Sequence, residues 1–401
     1  MKKILIITDA LTQPLYNVRV NFLCNSLIEQ GIKVTWISEK YQDIPFKINA
    51  DFIQIPFYKH KGIIGKIEWV IKNVCSLCCD YKNNYFTKKI LSLTKDTDFD
   101  LVFCSTFHTF GLKSAYYVAK KKNIPLHIDL RDIAEQCDIN VYNKSKLSRL
   151  DVIGTIYRKI NINRRNKILK LADSISSVSQ WHVDYIKQIN PNTLLIYNGF
   201  DNKEFYFTPI KSSYFDIVYT GRWYGNEMQD TTLLFSALQE IVEKNLIDTS
   251  SIRLVWYTAN NTHHEIIKTA EKFGLKHITY LYDYVSRKSI PDILLHSSIC
   301  LVLSSDDTQG IMTTKVYEAM GCKKPILCTN CSKGELHNII TDTNSGIATS
   351  NKDEVIDFIL YQYKIWQTSN STHANSVNIN MFSRQHQTTL LINHLKSLHK
   401  K

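Results

Sequence analysis

Short apolar runs alternate with longer segments of helical periodicity along this chain, and the alternation is completed twice. The first series is KILIIT from Lys3, a helical pattern from about Asn17 to Gln30, KVTWIS from Lys33, LVFCS from Leu101, a helical pattern near Leu112 to Lys121, and PLHIDL ending at Leu130. The second begins after Asn198-Gly199 with DIVYTG. It continues through a helix from about Asp230 to Lys244, IRLVWYT, a helix around His263 to Phe273, ITYLY, ICLVLS, and TTKVYEAMGCKKPIL from Thr313. Strands separated by a whole helix return parallel to one another through βαβ crossovers, so the pattern predicts an α/β protein with two halves, each on a parallel sheet. The boundary is expected near residues 200 to 214, where NGFDNKEFYFTPIKSS turns polar and turn-forming. This divides the chain into domains 1–200 and 201–380. A last helical pattern, roughly Ser383 to Leu398 within 381–401, is expected to pack back on the first half.

A length of 401 residues accommodates two such domains, and 44% hydrophobic with 21% charged residues is the balance of a folded chain rather than a disordered one. The apolar run Ile4 to Ile7 is too short for a signal-peptide core and reads as a first strand. No segment approaches the apolar length that spans a bilayer, so a cytoplasmic location is expected. The ten cysteines are scattered through a large chain without an export signal, and reduced thiols are the expectation. Two C-x-x-C pairs, Cys75/Cys78 and Cys328/Cys331, have the composition of a four-thiolate zinc site, but nothing else around them is arranged for metal.

The net charge of +12 is concentrated in two stretches. Residues 56–92 carry seven lysines against Glu68 and Asp80, and residues 144–170 carry nine Lys or Arg against Asp151. In the first stretch Ile63, Ile64, Ile67, Val70, Ile71, Val74 and Leu77 recur at helical spacing beside Trp69 and several lysines. Two readings fit: an interfacial helix on an anionic membrane, or a helix packed on its own domain with a solvated back face. No nucleic-acid-binding motif accompanies the charge, so no nucleic-acid partner is expected.

Open α/β sheets bind ligands beyond the carboxyl ends of their strands. Those positions are 8–13, 105–110, 129–132, 221–227, 282–287 and 304–315, and they are polar. The succession SVSQWHVDYI, LLIYNGFD, DIVYTGRW, ITYLYDYVSRKSIPDILLHSSICLVLSS and TTKVYEAMGCKKPIL resembles the nucleotide-sugar glycosyltransferases of GT-B fold. The resemblance is to the large retaining family 4, and DLRD at Asp129 to Asp132 is similar to its branch that builds O-antigen, capsule and related bacterial surface polysaccharides. It implies two Rossmann-like domains with parallel sheets facing across an interdomain cleft. It also implies a nucleotide-diphosphate sugar donor, a saccharide acceptor that is lipid-linked if the basic helix sits on a membrane, and no metal or other cofactor. The enzyme would then be peripheral on the inner face of the cytoplasmic membrane.

The same resemblance assigns residues. Gly221 and Arg222 match a phosphate-binding turn, and a planar guanidinium suits two phosphate oxygens. The family's following Lys is absent, since Met228-Gln229 stands there, and Lys315 is the candidate second cation at a helix N-terminus that already favours anions. Glu318 matches the glutamate that holds the nucleotide ribose; alone, Lys315 and Glu318 would read as surface charges three residues apart in the first helical turn. Gly310 stands where many relatives carry another glutamate, and Asp306 or Asp307 either replaces it or ends a strand. On the first half, His108 is displaced slightly from the family's catalytic-site His. Arg131 and Asp132 contact substrate or form a buried ion-paired turn. Arg19 resembles an arginine of the first helix but lacks the usual Gly-Gly before it. Two alternatives stay open: a sugar-nucleotide epimerase of the same fold, and a degenerate, non-enzymatic transferase-like subunit.

Overall fold

The computed structural model describes residues 1–11, 17–41, 44, 47–106, 109–136, 151–306 and 310–400. The chain forms two compact units, Met1–Tyr197 with Gln387–Lys401, and Asn198–His386.

The first unit is built on seven parallel strands: β1 (Lys3–Thr8), β2 (Lys33–Lys40), β3 (Asp51–Pro56), β4 (Leu101–Thr106), β5 (Leu126–Leu130), β6 (Ser174–Ser177) and β7 (Thr193–Leu195), in the order β3-β2-β1-β4-β5-β6-β7. Period-two alternation distributes β1 between two cores. Ile4 and Ile6 pack with Val20, Leu23 and Leu27 of the helix Val18–Glu29 and with Leu391, Ile392 and Leu395 of the C-terminal helix Arg384–His399. Leu5 and Ile7 pack on the other face with Ala115, Val118 and Ile175. The four-residue strand β6 is mostly serine and lacks any apolar pattern. It is buried because Ser174 and Ser176 hydrogen-bond the buried His127, at 2.6 and 3.0 Å, and Ser176 also donates to Asp129. Such a strand depends on tertiary hydrogen bonds rather than on its own hydrophobicity.

The second unit has six parallel strands: β8 (Phe215–Thr220), β9 (Ile252–Tyr257), β10 (Thr279–Tyr282), β11 (Ile299–Leu303), β12 (Ile326–Thr329) and β13 (Gly346–Thr349), in the order β10-β9-β8-β11-β12-β13. Trp256, Phe235 and Trp223 anchor its largest apolar cluster. In each sheet the chain starts at a central strand, winds outward, and returns to the other side. The order therefore reverses between β1 and β4 in one unit and between β8 and β11 in the other.

The lysine-rich helix Gly62–Cys79 leaves its apolar stripe exposed. None of its residues is buried. Ile63, Ile64, Ile67, Val70, Ile71 and Val74 are all more than half exposed, Ile63 reaching 78%. The opposite, polar face is the one that meets the protein. Lys72 bonds Glu68 and the carbonyl of Phe57, and Arg164 donates to the carbonyls of Ser76 and Leu77 at 2.9 and 2.7 Å. The reading as a helix packed by its apolar face on its own domain is therefore overturned. No helix among the described residues is long and apolar enough to cross a membrane. Among the described residues no group of three or more His, Cys, Asp or Glu is placed to hold a metal ion. Cys75/Cys78 belong to the first unit and Cys328/Cys331 to the second.

Candidate active site

The seam between β8 and β11 is paired only through Ile217 and Val218, whereas β8 pairs with β9 along all six of its residues. Beyond Val218 the pairing between the two strands stops. Tyr219, Thr220 and Gly221 follow at the carboxyl edge of the sheet. Gly221 has φ +119°, a value that favours glycine, and a Cβ on it would lie 2.8 Å from Cε of Lys315. The missing side chain is thus what lets Lys315 lie against the turn. Its ammonium sits 5.1 Å from the ring centre of Tyr219 and has no hydrogen-bonding or ion-pairing acceptor among the described residues. Burial lowers the pKa of Lys315, and Glu318 opposes that shift.

Lys315 is the second residue of the helix Thr314–Gly321, whose N-cap Thr313 accepts from the Lys315 amide. Glu318 is the fifth residue, so it lies beyond the first turn where the sequence suggested it. It is also not a surface carboxylate. It is 8% exposed, and Arg287 approaches it at 3.7 Å. Burial raises its pKa, against the pull of Arg287, Arg384 and Lys315.

Arg222 is exposed, with its guanidinium 5.7 Å from the ring centre of Tyr224 and the hydroxyl of Tyr284 favouring its charge. No carboxylate pairs with it among the described residues. Where the family often has a lysine, Gln229 instead organises the turn. Its carbonyl accepts from the Trp223 indole at 3.1 Å and its side-chain oxygen accepts from the Tyr224 amide at 2.9 Å. Asp306 already accepts from the Ser332 amide, the Ser332 hydroxyl and the Ser350 hydroxyl at 2.7, 2.9 and 2.5 Å, which ties the end of β11 to the residues that follow β12 and β13. Gly310 has φ +70°. Asp307 and His108 lie outside the described residues.

At the carboxyl edge of the first unit the cations are paired. Arg131 donates one nitrogen to both oxygens of Asp9, at 2.8 and 2.7 Å, rather than pairing with either neighbouring aspartate. Asp129 is fully buried and accepts from Nε and Nη2 of Arg19 at 3.2 and 3.0 Å, from Ser105 at 2.9 Å and from Ser176 at 2.7 Å. Burial would raise its pKa, but Arg19 outweighs it and the net shift is downward. Asp132 has no such compensation. Burial pushes it up to about 6, against a 3.3 Å hydrogen bond from Gln136 and the charge of Arg131. Asp9, Tyr284 and Arg287 stand at strand ends where ligands are expected, but nothing in the sequence assigns their partners: Arg131 meets Asp9 and Arg287 meets Glu318 across long stretches of chain. Gln136, four residues from Asp132, was not singled out at all.

Residues 214–362 match the family model described as "Glycosyl transferases group 1". Anabaena HepE in complex with UDP superposes with a TM-score of 0.67 at 14% identity, over 99% of this chain and 100% of that one. A glycosyltransferase of Rickettsia africae gives 0.67 at 15%, over 100% and 99%. The sucrose-phosphate synthase of Thermosynechococcus elongatus gives 0.66 at 12%, over 99% of each chain. No curated protein sequence matches. The fold is GT-B, with two Rossmann-like domains. The family match falls within the second unit, Asn198–His386.

Proposed function

We propose that this protein transfers a sugar from a nucleotide-diphosphate donor to a saccharide acceptor, with retention of anomeric configuration. The observation that carries the reading is the pair of cations, Lys315 and Arg222, at the carboxyl edge of the second sheet, neither of them within ion-pair distance of a carboxylate among the described residues. Departure of a nucleoside diphosphate leaves negative charge on the phosphate oxygens while the sugar gains oxocarbenium character. Preorganised cations and the free N–H groups of the helix Thr314–Gly321 stabilise that charge more as it grows than in the bound donor. Glu318 holds the ribose. Metal is unnecessary in this scheme, and turnover is expected to survive EDTA. Asp132, with its raised pKa, and Arg131 serve the acceptor side. HepE was solved with UDP, which makes uridine the first base to try here.

The outward apolar face of helix Gly62–Cys79, flanked by Lys59, Lys61 and Lys66, supports a lipid-linked acceptor met at an anionic membrane surface, as surface-polysaccharide synthesis requires. It also favours transfer over epimerisation, which needs no membrane. The experiment is a melting-temperature screen with nucleoside diphosphates, followed by turnover assays with the matching sugars. Transfer is the expected product. Interconversion of the free nucleotide sugar would identify an epimerase, and no binding or turnover with any donor would identify a non-enzymatic subunit. Flotation with liposomes tests the membrane: binding to anionic but not neutral vesicles is expected, and equal, negligible binding to both would remove the lipid-linked reading.

A further inference from the structure

Three cationic side chains and the carboxylate of Glu204 surround Glu318 in the second unit, and the spacing among them is unusual. Arg287 offers Nη1 to Glu318 at 3.7 Å and Nη2 to Glu204 at 3.1 Å. The first distance is an ion pair without a hydrogen bond, while the second lies at the long edge of hydrogen-bond range. Glu204 therefore holds Arg287 back from Glu318. Arg384, 5% exposed, donates Nε to the carbonyl of Asn198 at 3.3 Å, and its Nη1 is buried with no partner among the described residues. The carboxylates of Glu318, Glu204 and Asp201 supply its counter-charge. Lys315 is the remaining cation facing Glu318.

A carboxyl so deeply placed loses its charge unless cations compensate it. Two ribose hydroxyls need an ionised acceptor whose oxygens are not already occupied. A close bidentate arginine would keep the charge but fill the lone pairs. An arginine held at 3.7 Å keeps the charge and leaves them open. No described residue hydrogen-bonds either Glu318 oxygen.

We propose that Arg287, tethered by Glu204, and Arg384 are positioning residues that hold Glu318 as an ionised acceptor open to the hydroxyls of a donor ribose. This rests on the reading of Glu318 given above. The test is calorimetric titration of UDP-glucose and GDP-mannose from about pH 5 to 9, a range in which their diphosphates do not titrate. Wild type, Glu318→Gln, Arg287→Met and Arg287→Lys are compared, with melting temperatures measured in parallel. Glu318→Gln is expected to weaken binding about tenfold, as loss of a charge-assisted hydrogen bond would, and to abolish any acid limb. Arg287→Met should move that acid limb up by about one pH unit, because the carboxylate loses a compensating charge and protonates sooner. Arg287→Lys should restore the limb. Wild-type binding by Glu318→Gln, or no binding of either probe by wild type, would refute the ribose reading itself. Weakened Glu318→Gln with an unmoved limb in Arg287→Met, or a lysine variant no better than methionine, would refute the positioning role alone.

Discussion

The carboxyl edges of the two sheets carry similar residue types and use them in opposite ways. In the first unit Arg19 and Arg131 are each committed to a carboxylate of the same unit, and Asp129 accepts four hydrogen bonds. In the second, Lys315 and Arg222 face tyrosine rings, and no described carboxylate pairs with them. Arginine near a strand end is therefore weak evidence for ligand binding. What distinguishes the two edges is whether a fixed anion already neutralises the cation. By that criterion the second edge is prepared for an anionic ligand and the described part of the first is largely closed on itself, with Asp132 a carboxyl whose burial outweighs the help of Gln136 and Arg131.

The largest effect that would break this contrast is on stability. Arg19→Met should cost about 3–5 kcal/mol, since it leaves Asp129 charged, buried and without its cation; urea unfolding measures it. A loss below about 1 kcal/mol would mean that the serines alone suffice for Asp129. Lys315→Ala should lower turnover by about 10²–10³, the scale of one preorganised transition-state contact, with the melting temperature unchanged or raised. If it unfolds the protein instead, Lys315 belongs with the first edge.

Asp132→Asn sharpens the exception. The folded pKa of about 6 lies above the ordinary aspartate value, so the charged form is penalised in the folded state. That penalty is present above pH 6, fades between 6 and the unfolded value, and is absent below it. The variant should therefore be more stable by about 3 kcal/mol at pH 8 and equal to wild type near pH 3, while losing transfer activity. The smallest effect is expected for Arg131→Gln, about 0.5–1 kcal/mol, because both partners are only half-buried. A much larger loss would place the Arg131–Asp9 pair with the buried one.

Much of this was legible in the residues themselves. The apolar runs that became β1, β4, β5, β8, β9, β11 and β12 are long enough to be buried on both faces, and helices such as Val18–Glu29 and Thr232–Glu243 have clear periodicity. The weak strands were missed for a physical reason: β6 is polar, β7 has three residues, and β13 begins at Gly346 with φ +157°. Lys315, Arg222 and Glu318 were singled out through motif order, and the burial of Glu318 was misjudged. Burial depends on Arg287, Arg384 and Glu204, which local pattern does not connect to it.

By itself the sequence determined where the periodic helices and the apolar strands lie, that they alternate into two parallel sheets, and which helix has one apolar side. Those properties arise between residues a few positions apart, where backbone geometry sets the period. Only the tertiary structure decided that helix Gly62–Cys79 turns its apolar side outward, that Arg19 meets Asp129, and that Arg287 stops short of Glu318. An amphipathic pattern is the same whichever face meets the domain. An arginine in the chain does not specify which carboxylate it will reach. Those outcomes depend on which distant groups the fold brings within a few ångströms, and on whether another charge, as Glu204 does for Arg287, already holds one of them in place.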